Sequence, residues 1–137
     1  MSSFKIFDIA GSGMNAQNLR LNVVSSNLAN VDAVSSSMQE TYRAREPVFR
    51  AVLDQFNPEA PAEGVEMVGV VESKAPLVRE YAPNHPMADK DGYIYRPNVN
   101  AVEEMANMIS ASRAYQSNVE VLNAARQMMM ATINLGR

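Results

Sequence analysis

Apolar residues recur in alternating steps of three and four from Phe7 onward: Phe7, Ala10, Met14, Gln17, Leu21, Val24, Leu28 and Val31, with Gln17 the one polar member. A heptad seam sustained over that length predicts a helix laid against other helices. Ile6, Ile9, Ala16, Leu19 and Val23 lie beside the seam and widen the apolar surface. The remainder is mostly Asn, Ser and Gln rather than Lys and Glu. Such a helix has few strongly hydrated faces and suits being surrounded better than lying on a solvated surface. Gly11 and Gly13 weaken its first turns or permit a close crossing there.

The C-terminal third repeats the spacing through Ala101, Met105, Met108, Ser112, Tyr115, Val119, Leu122, Arg126, Met129 and Ile133. Asn100 with Glu103 reads as a capping box, the Asn side chain accepting from the amide near Glu103 and the Glu reaching back. Leu135 followed by Gly136 supplies a stop. A helix over this segment is roughly 50 Å long, an element that one small domain does not easily bury on both faces.

Between these ends, residues 34–99 hold all 7 prolines. DQFNPEAPAEG is loop-like, EMVGVVES and PLVREY are short and β-branched enough for strands, and DKDG before YIY is a tight turn into another strand. The predicted fold is therefore mainly α. A long N-terminal helix occupies residues 1–34, a loop and β-containing middle region residues 35–99, and a second long helix residues 100–137. Each helix is expected to lie against other helices, surrounded by neighbouring chains. In the middle region, Pro86 and Pro97 restrict the chain, Gly92 permits a turn conformation, and Tyr93 and Tyr95 share one side of an extended segment.

Charge and composition then narrow the function. With 12 Lys and Arg against 15 Asp and Glu, the net charge of -3 offers no general attraction to a phosphate backbone, so nucleic acid is excluded as a partner. The absence of Cys removes disulfide, thiolate and zinc-thiolate chemistry together. That suits an exported protein and many cytosolic ones alike. MSSFKIFDIAGSGMNAQ lacks the uninterrupted apolar core of a cleaved secretory signal, and no apolar run is long enough to span a bilayer.

The candidate chemistry is sparse. His85, the single histidine, lies near Asn84, Asp89 and Asp91 in one loop. That set could serve a small hydrolase or a metal-dependent enzyme, but no further residues obviously complete a ligand set or a calcium loop. A structural turn is the simpler reading. No Ser sits in a Gly-x-Ser-x-Gly elbow. Adjacent Glu103 and Glu104 point in different directions on a helix, which favours a cap and first-turn charges over paired acid–base work. Neither a cofactor nor a catalytic residue is therefore expected.

The methionines say more. Of 10 in the chain, Met105, Met108, Met128, Met129 and Met130 fall in the C-terminal helix. Three consecutive methionines point in three directions, so a lone chain must expose at least one. Burial by neighbouring chains accounts for them better than a membrane surface, because the segment is poor in Lys and has no Trp.

With both helices in view, three stretches resemble the FlgC family, the proximal-rod proteins of the bacterial flagellar basal body. They are SGMNAQNLRLNVVSSNLANVDAV (residues 12–34), YRAREPVF (residues 42–49) and NHPMADKDGYIYRPNVNAVEEMANMISASRAYQSNVEVLNAARQMM (residues 84–129). Where the wider axial family continues with a Thr and a Gly-Tyr pair, this chain has VDAVSSS, a departure that suits the proximal-rod type. Residues 50–80 carry little of the likeness.

The resemblance implies a non-enzymatic structural subunit, exported by the flagellum's own apparatus without a cleaved signal. It implies stacking into the hollow rod that passes torque from motor to hook and encloses the export channel, within the periplasmic part of the cell envelope. Its partners are then copies of itself, other rod proteins, the export apparatus and the surrounding basal-body rings. The residues expected to make assembly contacts are Met14, Leu21, Val24, Leu28 and Val31 in the first helix. In the second they are Met105, Ile109, Tyr115, Val119, Leu122 and Met129, with Asn100 and Glu103 as its cap. An export chaperone or adaptor bundle shares the apolar stripes and the acidic charge, and is the alternative.

Overall fold

The computed structural model describes residues 3–53 and 63–136. Helix α1 spans Ser3–Ala29 and helix α2 spans Ala101–Leu135, the ends predicted from heptad spacing. Between them lie strands β1 (Arg45–Val52), β2 (Gly64–Glu72), β3 (Val78–Tyr81) and β4 (Tyr93–Arg96), arranged as two separate two-stranded antiparallel sheets, β1 with β2 and β3 with β4. The strands read from EMVGVVES, PLVREY and YIY fall in β2, β3 and β4. Strand β1, built on REPVFRAV, is not marked by such a β-branched run, and Pro47 removes one ladder donor from it. The stretch 54–62, which contains most of the loop-like DQFNPEAPAEG, lies outside the described residues.

Helix α1 ends earlier than the 1–34 span. The Asn30 side-chain amide donates to Ser26 O at 2.8 Å, and the amides of Asn30 and Val31 reach carbonyls three residues back, at 3.1 and 3.3 Å. The chain is thereby tightened into a turn, and Val31 sits in that turn rather than on the helix.

The residues cluster into two compact units. The first is drawn from Met1–Leu21, Pro47–Gly69 and Ile109–Arg137, the second from Asn22–Glu46 and Val70–Met108. Among the described residues of the first, the buried apolar ones are Ala10, Ala16, Ala111 and Ala125. Small side chains let helices approach closely, and Gly13 sits at such a point: a Cβ there would lie 2.9 Å from Asn118 Nδ2. Ser12 Oγ accepts from the Val65 amide at 3.1 Å while donating to Ile9 O at 2.8 Å, and Lys5 pairs with Glu63 at 2.7 Å. These contacts hold the start of β2 along α1. Val52 O accepts from Glu63 N at 2.8 Å, and Arg50 pairs with Glu66.

In the second unit, β3 and β4 pair in the register Val78 with Arg96 through Tyr81 with Tyr93. Period-two alternation turns Ile94 inward, where it is buried. Tyr93 lies on the other side with Tyr81, their rings edge to face at 5.1 Å, and the Arg79 guanidinium stacks 3.6 Å from the Tyr93 ring centre. Ser35 and Tyr95 exchange two backbone bonds of 3.0 Å, which bring the chain after α1 onto β4. Asn98 continues this stitching. Its Oδ1 accepts from Ala44 N at 2.8 Å and its Nδ2 donates to Ala75 O at 2.9 Å.

Candidate assembly surface

The buried apolar residues described are Ala10, Ala16, Val24, Ala44, Ile94, Ala111 and Ala125, so alanine dominates the interior. Each buried methylene contributes about 0.8 kcal/mol, and alanine has few carbons to bury. Many of the large apolar side chains lie outside. On α2, Val102 is 76% exposed, Ile109 55%, Met128 60% and Leu135 88%, and Met105, Met130 and Ile133 are also exposed. The chain therefore keeps small residues for its own interior and presents large ones outward.

The expected contact residues separate along this line. In α1, Val24 is buried within its own unit, while Met14, Leu21 and Leu28 are half-buried. In α2, Met105, Ile109 and Tyr115 are exposed and Val119, Leu122 and Met129 are half-buried. The split alternates along the helix: on the three-four row Met108 and Ser112 are half-buried between exposed Met105 and Tyr115, and Leu122 and Met129 are half-buried on either side of exposed Arg126. Met128 and Met130 flank Met129 and both face outward.

The entry to α2 is built from side chains. Asn100 Oδ1 accepts from the amides of Val102 at 3.1 Å and Glu103 at 3.4 Å, satisfying helix donors that have no intrahelical partner. Among the described residues no bond returns from Glu103 to the Asn100 amide; Glu103 is exposed. Its neighbour Glu104 instead turns inward, and Glu104 Oε1 accepts from Asn27 Nδ2 at 3.1 Å.

Asn27 is the residue that heptad spacing did not single out. It is 1% exposed and uses its whole hydrogen-bonding capacity. Nδ2 donates to Arg45 O at 2.8 Å and to Glu104; Oδ1 accepts from Arg45 N at 2.9 Å and from Tyr42 Oη at 2.8 Å. Ser26 Oγ lies 3.2 Å from the same Tyr42 hydroxyl. Asn27 lies beside Leu28, off the apolar seam, and its partners come from two distant stretches, Tyr42 with Arg45 and Glu104.

The loop that carried the candidate chemistry is engaged with its own backbone. Asp89 Oδ1 accepts from the amides of Asp91 at 2.9 Å and Tyr93 at 2.8 Å, and Oδ2 from Tyr95 Oη at 3.3 Å. The Tyr93 amide chiefly holds the Asp89 carboxyl below its usual 3.8, helped by the Asp91 amide, the Tyr95 hydroxyl and Arg79 and opposed by desolvation. His85 Nδ1 accepts from Met87 N at 3.1 Å, and Asp91 is exposed. Gly92 closes the turn at φ 81°, where a Cβ would meet Tyr81 Cε2 at 3.0 Å. Among the described residues, no three His, Asp or Glu side chains converge to hold a metal ion, and no helix is long and apolar enough to cross a membrane.

Comparison with known proteins agrees at both ends of the chain. Residues 7–35 match the family described as flagella basal body rod protein, and residues 90–135 match flagellar basal body rod FlgEFG protein C-terminal. The chain is 48% identical to the flagellar basal-body rod protein FlgC of Escherichia coli O6:H1, covering 100% of both chains. It is 47% identical to the protein of that name from Salmonella typhimurium strain LT2, again over 100% of both. The FlgC protein of Borreliella burgdorferi is 35% identical over 97% of each chain.

Proposed function

The chain belongs to the FlgC family of flagellar basal-body rod proteins, and from that premise we propose that its work is purely mechanical, with no catalytic step. It is a structural subunit of the bacterial flagellar basal-body rod, and the alternative of an export chaperone or adaptor bundle finds no support among relatives named as rod proteins. The proposal extends to the proximal part of the rod, in the periplasm. There the subunit reaches its place through the flagellar export apparatus and stacks with copies of itself and other rod proteins, inside the surrounding rings. In this reading α1 and α2 form the inner coiled-coil-like layer of a hollow shaft that transmits torque. Their half-buried and exposed apolar residues become interior only when neighbours arrive.

The observation that carries the reading is the inversion of side-chain size, with alanines inside and Val102, Met105 and Ile109 outside on the first turns of α2. A helix face of this kind gains apolar burial from a neighbour at about 25 cal/mol per Å². Met105→Glu combined with Ile109→Glu tests it. Both positions are exposed, so the monomer's unfolding free energy is expected to stay within about 0.5 kcal/mol. Export of the subunit continues, while the yield of assembled rods from a strain carrying only the variant collapses. Normal rod yield with normal motility would remove α2 from the proposed contact surface.

A further inference from the structure

We infer that Asn27 is a latch that makes closure of the unit formed by Asn22–Glu46 and Val70–Met108 conditional on both ends of the chain. Its four bonds join three elements: the last turns of α1, the start of β1 with the Tyr42 that precedes it, and the first turns of α2. Asn27 and Glu104 are 77 residues apart in sequence. The amide orientation is determined by this network. Reversing it would set Oδ1 against two acceptors, Arg45 O and Glu104 Oε1, and Nδ2 against the Arg45 N–H.

The latch is selective because it is buried. A polar group in the interior that loses its partner has no water to replace it, and the loss shifts a local opening equilibrium by roughly tenfold to a hundredfold. Placing α1 alone leaves the Nδ2 proton aimed at Glu104 unmet. Placing α2 alone leaves Glu104 without the amide. Arg45 is bonded through both its N–H and its C=O to the same side chain, so β1 begins in register only when Asn27 is in place. The geometry thus couples the N-terminal segment to the C-terminal helix through one side chain, and it does so within a single chain, independently of how subunits meet in the rod.

Hydrogen exchange on the purified full-length protein tests this through residue pairs far apart in sequence. Glu104→Ala removes an acceptor on α2, yet it is expected to speed exchange about tenfold or more at Ser26–Asn30 at the end of α1 and at the Arg45 amide. Glu104→Gln keeps an oxygen acceptor and is expected to stay within about threefold of the parent at the same amides. Asn27→Ala is expected to loosen Arg45 and the Glu104–Met108 amides together. The Val65 amide, bonded to Ser12 Oγ in the other unit, serves as the internal control. The inference is overturned if Glu104→Ala loosens only α2 while Ser26–Asn30 keep parental protection, or if Glu104→Gln behaves like Glu104→Ala. Should Asn27→Ala fail to fold, the two Glu104 variants still decide the matter.

Discussion

Asp89 and Gly92 make the bend before β4, and each does so for a reason that a single substitution can expose. The Asp89 carboxylate accepts from the Tyr93 and Asp91 amides, which lowers its pKa in the folded chain below 3.8. A group with a depressed folded pKa contributes stability that is fully present above its unfolded value and is lost as pH falls through the folded one. The turn is therefore expected to hold at neutral pH and to weaken only below the usual carboxylate range. Asp89→Asn should flatten that acidic limb in an unfolding titration while leaving the rest of the profile unchanged. Gly92 occupies a left-handed conformation and lies against Tyr81 and Pro83. Gly92→Ala is expected to cost about 1–2 kcal/mol for the backbone alone, read from denaturant unfolding. His85→Ala removes one turn bond, to Met87 N, at a partly exposed site and should cost less than Gly92→Ala.

At the scale of elements, the launch of α2 rests on Asn100 and on Glu104 more than on Glu103. Asn100 satisfies two first-turn amides, and its replacement by Ala should cost about 1 kcal/mol. Glu103→Ala loses a charge at the helix N-terminus without losing a hydrogen bond to the Asn100 amide, so its effect should be a few tenths of a kcal/mol. Thermal unfolding of the two single variants ranks them. Equal losses would indicate that Glu103 does return to the cap. Because α2 is roughly 50 Å long, a small change in the angle of its first turn is amplified at its far end. Asn100→Ala is therefore expected to lower rod yield more than its stability cost alone suggests, with export unaffected.

For the molecule as a whole, an alanine-rich interior leaves many large apolar side chains exposed in the single chain, and the proposed assembly would bury them. The stretch of α2 from Arg126 to Leu135 is exposed at nearly every position, including Met128, Met130 and Ile133. Its helix is held in the single chain mainly by backbone bonds and modest propensity, which rarely suffice alone. In dilute solution the amides of this stretch are expected to exchange much faster than those around Ile94 and Asn27. In assembled rods they should become protected. Equal protection of both regions in the dilute monomer would remove the need for neighbours.

The sequence by itself determined the two long helices, three of the four strands and the turn before β4. Each of these depends on a local period or on a residue type with few conformational options: heptad spacing for α1 and α2, β-branched runs for β2 and β3, Gly92 and Asp89 for the bend. It also carried the family likeness at both ends. Tertiary structure decided what local patterning cannot express. Strand β1 forms through pairing with β2 and through the Asn27 bonds to Arg45, neither visible in REPVFRAV. Val31 leaves the helix because Asn30 turns back to Ser26. On the three-four row of α2, half-buried and exposed positions alternate, and only the packing of the chain decides which is which. Asn27 lies off the apolar seam with nothing in the local pattern to mark it, and only the fold brings Tyr42, Arg45 and Glu104 to it from so far along the chain.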